Sequence, residues 1–333
     1  MIKTALSHPN KALVIYWGNE KDTLRIPTRS SLSITLQGIN HPVDYIVSLR
    51  TMRSSERDKV IIDGIEDKGE IHSHFVHHLE AMRRYTGFKE KVEVTTRKSF
   101  PVGSGLAGSA ASASALAEAF AGLIDKTADT KLKSILARRG SGSASRSVFG
   151  GFVMWHKGNS DDSSYAEQLF NENHWDLRNV FAMVSSNPKK IRSIEGMKLS
   201  KKTCPRQSYS EFVRVANPHI EQLTTAFSAR DITKLGLLYE KENSLFREIC
   251  LKTVPQLDYW TKATQDILNK VANLRNDGIP AYAGTDAGPN VHILTVPKHI
   301  ERVIRTIQEV KGVLDIIHCR VGEGSRLIQD YLI

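Results

Sequence analysis

Three stretches of this 333-residue chain combine residue types that handle oxyanions. The first is Arg138–Trp155, RRGSGSASRSVFGGFVMW, where Gly140, Ser141, Gly142 and Ser143 alternate and Arg146 follows three residues on. Glycine lets backbone approach a ligand, serine hydroxyls donate to oxyanions, and arginine clamps a carboxylate or phosphate with two parallel bonds. The same composition also suits a serine-rich turn with a surface arginine. The second stretch begins at Pro101, with Gly103, Gly105 and Gly108 in a formal G-x-G-x-x-G that runs on into Ser109 and a small-residue helix predicted to about Leu123. A dinucleotide fold needs a parallel strand ending in an acid about 20 residues later. Here a second helical pattern, DKTADTKLKSILARRG, follows instead. What survives is a glycine-rich loop opening a helix, whose free N–H groups and positive dipole end suit a phosphate; close helix packing is compatible with it. The third is Asp286, in a T-D-A-G-P-N run that is also a good turn sequence.

These stretches need elements to position them. NKALVIYWGN reads as a strand, IPTRSSLSITLQ alternates in its later part, and DYIVSLRTMR, DKVIIDGIED and KVEVTTRKSF follow as strands. After NVFAMVSS come three long amphipathic segments, Tyr209–Phe227, Asp231–Glu248 and Asp258–Asn276. A strand–turn–strand, the helix HIERVIRTIQEVKG and a last strand near Leu314–Arg320 complete the chain. Helices grouped with an antiparallel sheet predict an α+β fold. The length suits two domains, expected as 1–186 and 187–333.

Composition removes several function classes. No apolar run approaches the ~20 residues that span a bilayer, and the N-terminus has no secretory pattern. Cys204, Cys250 and Cys319 are far apart without C-x-x-C, so reduced thiols and a cytoplasmic location are expected. The net charge of +10 comes from scattered lysines and arginines without interleaved aromatics, which favours a small polyanionic substrate over nucleic acid. His72, His74, His77 and His78 lack H-E-x-x-H or cysteine partners, so an amphipathic helix is expected there and no metal site.

Four motifs in order resemble the galactokinase–homoserine kinase–mevalonate kinase–phosphomevalonate kinase (GHMP) superfamily, and within it the diphosphomevalonate decarboxylases. Asn10–Asn19 resembles the family's N-I-A-V-I-K-Y-W-G-K, and Pro101–Ala111 resembles P-T-A-A-G-L-A-S-S-A-A. Arg138–Gly151 matches R-x-G-S-G-S-A-C-R-S-L-F-G-G nearly residue for residue, and Thr285–Asn290 resembles F-D-A-G-P-N. The resemblance implies a ribosomal-protein-S5-like N-terminal domain, a ferredoxin-like α/β sandwich C-terminal domain and a homodimer. It implies Asp286 and Arg146 as catalytic residues. Tyr16, Trp17, Ser141, Gly142, Ser143 and Arg192 would meet a phosphorylated mevalonate, and Gly105, Ala107, Gly108 and Ser109 would hold phosphate.

Departures from the family pattern shape a sharper expectation. Ile15 and Asn19 stand at the two lysines of K-Y-W-G-K, Gly108 replaces a phosphate-loop serine, and Ile194 stands at an arginine that grips the 5-diphosphate. Arg192 is a nearby substitute for that arginine, and Lys11 or Lys21 could reach the site in place of the lysines. Phosphoryl transfer rests on positioning and cations, so an absent lysine should lower its rate by orders of magnitude. The expectation is therefore a decarboxylase like the archaeal bisphosphomevalonate enzymes, converting mevalonate 3,5-bisphosphate to isopentenyl phosphate, CO2 and phosphate with no cofactor. The alternatives are an ATP- and magnesium-dependent decarboxylase of diphosphomevalonate or phosphomevalonate, a mevalonate 3-kinase-like transferase, and a non-catalytic basic binding protein.

Overall fold

The computed structural model describes residues 1–53, 55–99, 106, 108–187 and 189–333. Gly105 and Ala107, both expected to hold phosphate, lie outside the described residues. The chain folds as α+β around two large sheets of largely antiparallel strands, with a small two-stranded hairpin, Asn19–Lys21 and Ile26–Pro27, beside them.

The first sheet runs Arg326–Ile328, Ile2–Ser7, Tyr45–Met52, Lys91–Lys98, Lys59–Ile62, Ile65–Glu66. Its strands are antiparallel except for Lys59–Ile62 beside Lys91–Lys98. The small-residue helix Gly108–Leu123 packs on it, and nearly all its residues from Ala110 onward are buried. Alanines and serines permit that close approach, because a row of larger side chains would hold helix and sheet apart.

The second sheet places Ser31–Gly38 at its junction. That strand pairs with Phe152–Trp155, with Asn10–Val14 and with Asp315–Val321, which leads on to Arg178–Met183, Val291–Thr295 and Tyr282–Thr285. Residues 10 and 286 are thereby carried on one continuous sheet and its edge turn. Helices Ala216–Ala229 and Ile232–Lys252 cover it, with Leu223, Phe227, Leu235 and Tyr239 in the core. The segment Tyr209–Phe227, read from its periodicity as one helix, is two: Arg206–Arg214 and Ala216–Ala229, broken at Val215.

Two arginines of the central motif are structural. Arg138 is wholly buried, donates to the Leu24 and Asp161 carbonyls and pairs with the Asp161 carboxylate, which Arg139 also meets. They fix the end of helix Thr130–Gly140, which starts on the Asp129 cap and delivers the chain into Ser141–Ser143. His78 belongs to the same packing, with its Nε2 on the Leu136 carbonyl. Burial pushes its pKa down to about 3, so it is a neutral core histidine. Cys204, Cys250 and Cys319 are buried free thiols. No helix among the described residues is long and apolar enough to cross a membrane.

Candidate active site

The motifs meet around one cavity of about 680 Å³ between the helix start at Gly108, the Gly140–Ser143 loop and the turn at Asp286. Its floor is the Asn10–Val14 strand. Alternation sends successive side chains to opposite faces, so Asn10 and Ala12 line the cavity while Lys11 points the other way. A register shift between Ala12 and Val14 then turns Ile15 and Tyr16 into the wall.

Arg146 is 1% exposed and held by three side chains. Its Nε donates to Ser33 Oγ at 2.9 Å, Nη2 donates to Asn10 Oδ1 at 3.1 Å, and Nη1 donates to Ser31 Oγ. Ser31 and Ser33 lie two apart on one strand, which puts both hydroxyls on the same face. No carboxylate pairs with Arg146 among the described residues. Burial pushes its pKa down to about 10, against the attraction of Asp286, so it remains a cation at neutral pH. A buried, oriented and unpaired guanidinium is costly without an anion, and the fork fits a substrate carboxylate.

Asp286 sits opposite, with a third of its side chain exposed to the cavity. Its Oδ1 accepts a 2.6 Å hydrogen bond from Lys11 Nζ, which is wholly buried behind it over the Tyr239 ring. Burial alone would push the Asp286 carboxyl up. Lys11, with Lys189, outweighs that and holds it below the usual carboxylate range. Burial likewise depresses the Lys11 ammonium, which Asp286 opposes. His292 is forced down to about 3 by burial and by Lys11, so the ring is neutral. Lys189, which lines the cavity, places a second ammonium in the field of Asp286. Lys21, the other lysine weighed for this role, is exposed.

The remaining expected residues divide. Ser141 and Ser143 line the cavity with hydroxyls 3.4 Å apart. Gly142 lies against Tyr16, whose hydroxyl donates to Asn19 Oδ1 at 2.5 Å and whose pKa is pushed up to about 12 by burial. Trp17 forms wall, but its indole N–H is spent on Ser200 Oγ at 2.9 Å. Gly108 and Ser109 open the helix beside Ser112, and all three line the cavity. Arg192 stands at the exposed mouth in an ion pair with Glu70, beside the uncharged Ile194. Asn10, Arg25, His74 and Lys189 also line the cavity and were given no binding role from the sequence, His74 having been set aside with its neighbouring histidines. Asn10 had a signal, since it opens the first motif and its Nδ2 also donates to Ser147 Oγ at 2.7 Å.

Gly142 has a specific steric reason. A Cβ there would lie 2.8 Å from the Tyr16 ring. Gly142→Ala should displace either the ring or the serine loop, destabilise the protein by about 1–3 kcal/mol and lower kcat/KM on the order of 10–100-fold. Thermal melts and steady-state kinetics check both.

The helix start at Gly108 fits a polyphosphate. Its first turn carries no acidic residue, and Ser109 and Ser112 face the cavity there. Among the described residues no three His, Cys, Asp or Glu side chains gather to hold a metal. Magnesium bound here would take its ligands largely from phosphate oxygens, as that ion commonly does.

Similar proteins are known over nearly the whole chain. Residues 7–166 match a diphosphomevalonate decarboxylase-like N-terminal domain and residues 180–321 a mevalonate 5-diphosphate decarboxylase C-terminal domain. The diphosphomevalonate decarboxylase of Bos taurus is 30% identical over 326 residues, covering 92% of this chain and 80% of that protein. A solved mevalonate diphosphate decarboxylase from Staphylococcus aureus is 30% identical with a TM-score of 0.91, covering 99% of both chains. The structure of MDDEF in complex with MVAPP, AMPPCP and magnesium is 30% identical with a TM-score of 0.89, again covering 99% of both.

The expected ATP-free conversion of mevalonate 3,5-bisphosphate without a cofactor is overturned. That expectation rested on the missing lysines at Ile15 and Asn19, whereas a structure 30% identical to this chain has been captured with the ATP analogue AMPPCP and magnesium. The physical reason lies in the cavity. Lys189 lines it and Lys11 lies buried behind Asp286, so two ammonium groups stand near the site although positions 15 and 19 carry none. Nothing singles out an archaeal bisphosphomevalonate variant.

Proposed function

Because the chain belongs to the diphosphomevalonate decarboxylase family, we propose that it carries out the ATP- and magnesium-dependent decarboxylation of mevalonate 5-diphosphate. The observation that carries this reading is the ionised Asp286, backed by buried Lys11 and facing the unpaired Arg146 across the cavity.

Each side chain has a task that follows from its surroundings. Asp286 stays anionic and accepts the hydrogen bond of the substrate's 3-hydroxyl, aligning an oxygen lone pair and receiving its proton as that oxygen is phosphorylated. Lys11 does not line the cavity; it is a positioning residue that fixes the carboxylate and keeps it charged. Lys189 adds positive charge where phosphoryl oxygens gather. Arg146 holds the C1 carboxylate so that the C1–C2 bond lies in line for cleavage. ATP supplies the phosphoryl group that converts the 3-hydroxyl into a leaving group, and magnesium screens its charge; Gly108, Ser109 and Ser112 would hold the phosphates. When the C3–O bond breaks, its electron pair leaves with phosphate. The C1–C2 pair becomes the new double bond between C2 and C3, and CO2 departs.

The test is a stoichiometry. Purified protein is incubated with mevalonate 5-diphosphate, with and without ATP and magnesium, while ADP, phosphate and CO2 are followed. ADP and CO2 are expected in equal amounts, with no CO2 when ATP is omitted. CO2 released without ATP, or ADP formed without CO2, would overturn the proposal.

A further inference from the structure

At the end of the cavity away from Asp286 stands an arginine to which no motif pointed, and we infer that Arg25 holds the 5-phosphoryl group of the substrate. The inference rests on the reading of the site proposed above. It adds the residue that anchors the substrate's far end, where the family's arginine position is the uncharged Ile194.

The order of groups along the cavity supports it. Asp286 is paired with Lys11 and shares the cavity with Lys189. Arg146 and Tyr16 both pack on the Trp155 ring, Tyr16 lies against Gly142, and the Arg139 carbonyl just before that loop accepts from Arg25 Nε. His74 lines the same cavity. Contacts thus lead along the cavity wall from Arg146 through Tyr16 and Gly142 to the residue that holds Arg25. A 5-phosphorylated 3-hydroxy acid places its phosphate at one extremity, separated from C3 by two further carbons. With the 3-oxygen on Asp286 and the carboxylate on Arg146, the phosphate extends toward Arg25.

The local structure holds Arg25 for such a task. Its backbone is left-handed, with φ of 51°, a region that non-glycine residues avoid and that is kept where surroundings enforce it. Arg25 Nε donates to the Arg139 carbonyl at 3.1 Å, and Arg138 Nε donates to the Leu24 carbonyl at 3.1 Å. Residues 24 and 25 are thus tied to the helix that delivers Ser141–Ser143. Among the described residues no carboxylate pairs with Arg25, and its Nη atoms meet no protein acceptor. Arg192, the cation expected at this end from the sequence, already has Glu70 as its counter-ion. Arg25 therefore offers the free fork, and His74 adds a ring donor to the same cavity.

Arg25→Gly is the informative variant, because glycine prefers the backbone that arginine adopts here under strain. Its melting temperature should equal or exceed that of the parent. Its KM for mevalonate 5-diphosphate, and the calorimetric Kd measured without nucleotide, should rise on the order of 10–100-fold. KM for ATP and kcat should change little, and Arg25→Lys should fall between the two proteins. An active parent whose Arg25→Gly variant keeps the same KM and Kd would overturn the inference while leaving the proposed reaction standing. A parent without turnover would remove the proposed reaction, and the calorimetric ratio would then still decide whether Arg25 binds the phosphorylated acid.

Discussion

Asp286→Asn is expected to lower kcat by about 10³–10⁴-fold while the protein folds and retains most of its affinity for mevalonate 5-diphosphate. Asparagine matches the carboxylate in shape and can still accept from Lys11 through its amide oxygen. It cannot take a proton, and it leaves the wholly buried Lys11 without a counter-charge. Substrate affinity should survive because Arg146, Ser141 and Ser143 are untouched. The pH dependence of stability provides a second readout. The folded pKa of Asp286 lies below its ordinary value, so its ionised form contributes stability above that value and loses it as pH falls through the folded one. The melting-temperature gap between the two proteins should therefore close in acid. A variant with near-parental kcat would place the chemistry on another residue.

Lys11→Met should have the next largest effect, a fall in kcat on the order of 10²–10³-fold, with stability held or raised. Methionine fills the space under Tyr239 without a desolvated charge, and Asp286, a third exposed, can rehydrate or turn toward Lys189. Adding Ile15→Lys to this variant returns an ammonium to the position where the family carries one, and a substantial part of the lost activity should come back. Ile15 lines the cavity and is nearly buried, so its lysine would face the reacting groups directly. Circular dichroism melts and steady-state kinetics on the single and double variants separate lost chemistry from lost fold. Full activity in Lys11→Met would mean that Asp286 needs no cation behind it.

The fold and the oxyanion loop were legible because residue type decides them locally. Serine and glycine in alternation with an arginine three residues on also suit a plain turn, but the run matches a family motif nearly residue for residue, and the capped helix before it ends where its pattern does. What the sequence withheld was direction. Lys11 is separated from Asp286 by 275 positions, and strand alternation together with the shift between Ala12 and Val14 decides which side of the floor each residue faces. The loss of charge at Ile15 was plain from its identity, and Lys11 and Lys21 were both open as substitutes; only the placed strand shows Lys11 on Asp286 and Lys21 exposed. Arg25 carried no signal, because a left-handed backbone at a non-glycine residue is set by the tertiary ties around it. The break at Val215 was hidden for a related reason, since the apolar periodicity continues through it.

The pH profile of kcat, recorded side by side for the parent and Lys11→Met, measures most directly whether a buried lysine keeps Asp286 ionised for catalysis. The parent should lose activity in acid only below the ordinary carboxylate range of about 3.9, insofar as it stays folded, and the acid limb of Lys11→Met should lie at distinctly higher pH. Superimposable acid limbs in the two proteins would contradict that role for Lys11.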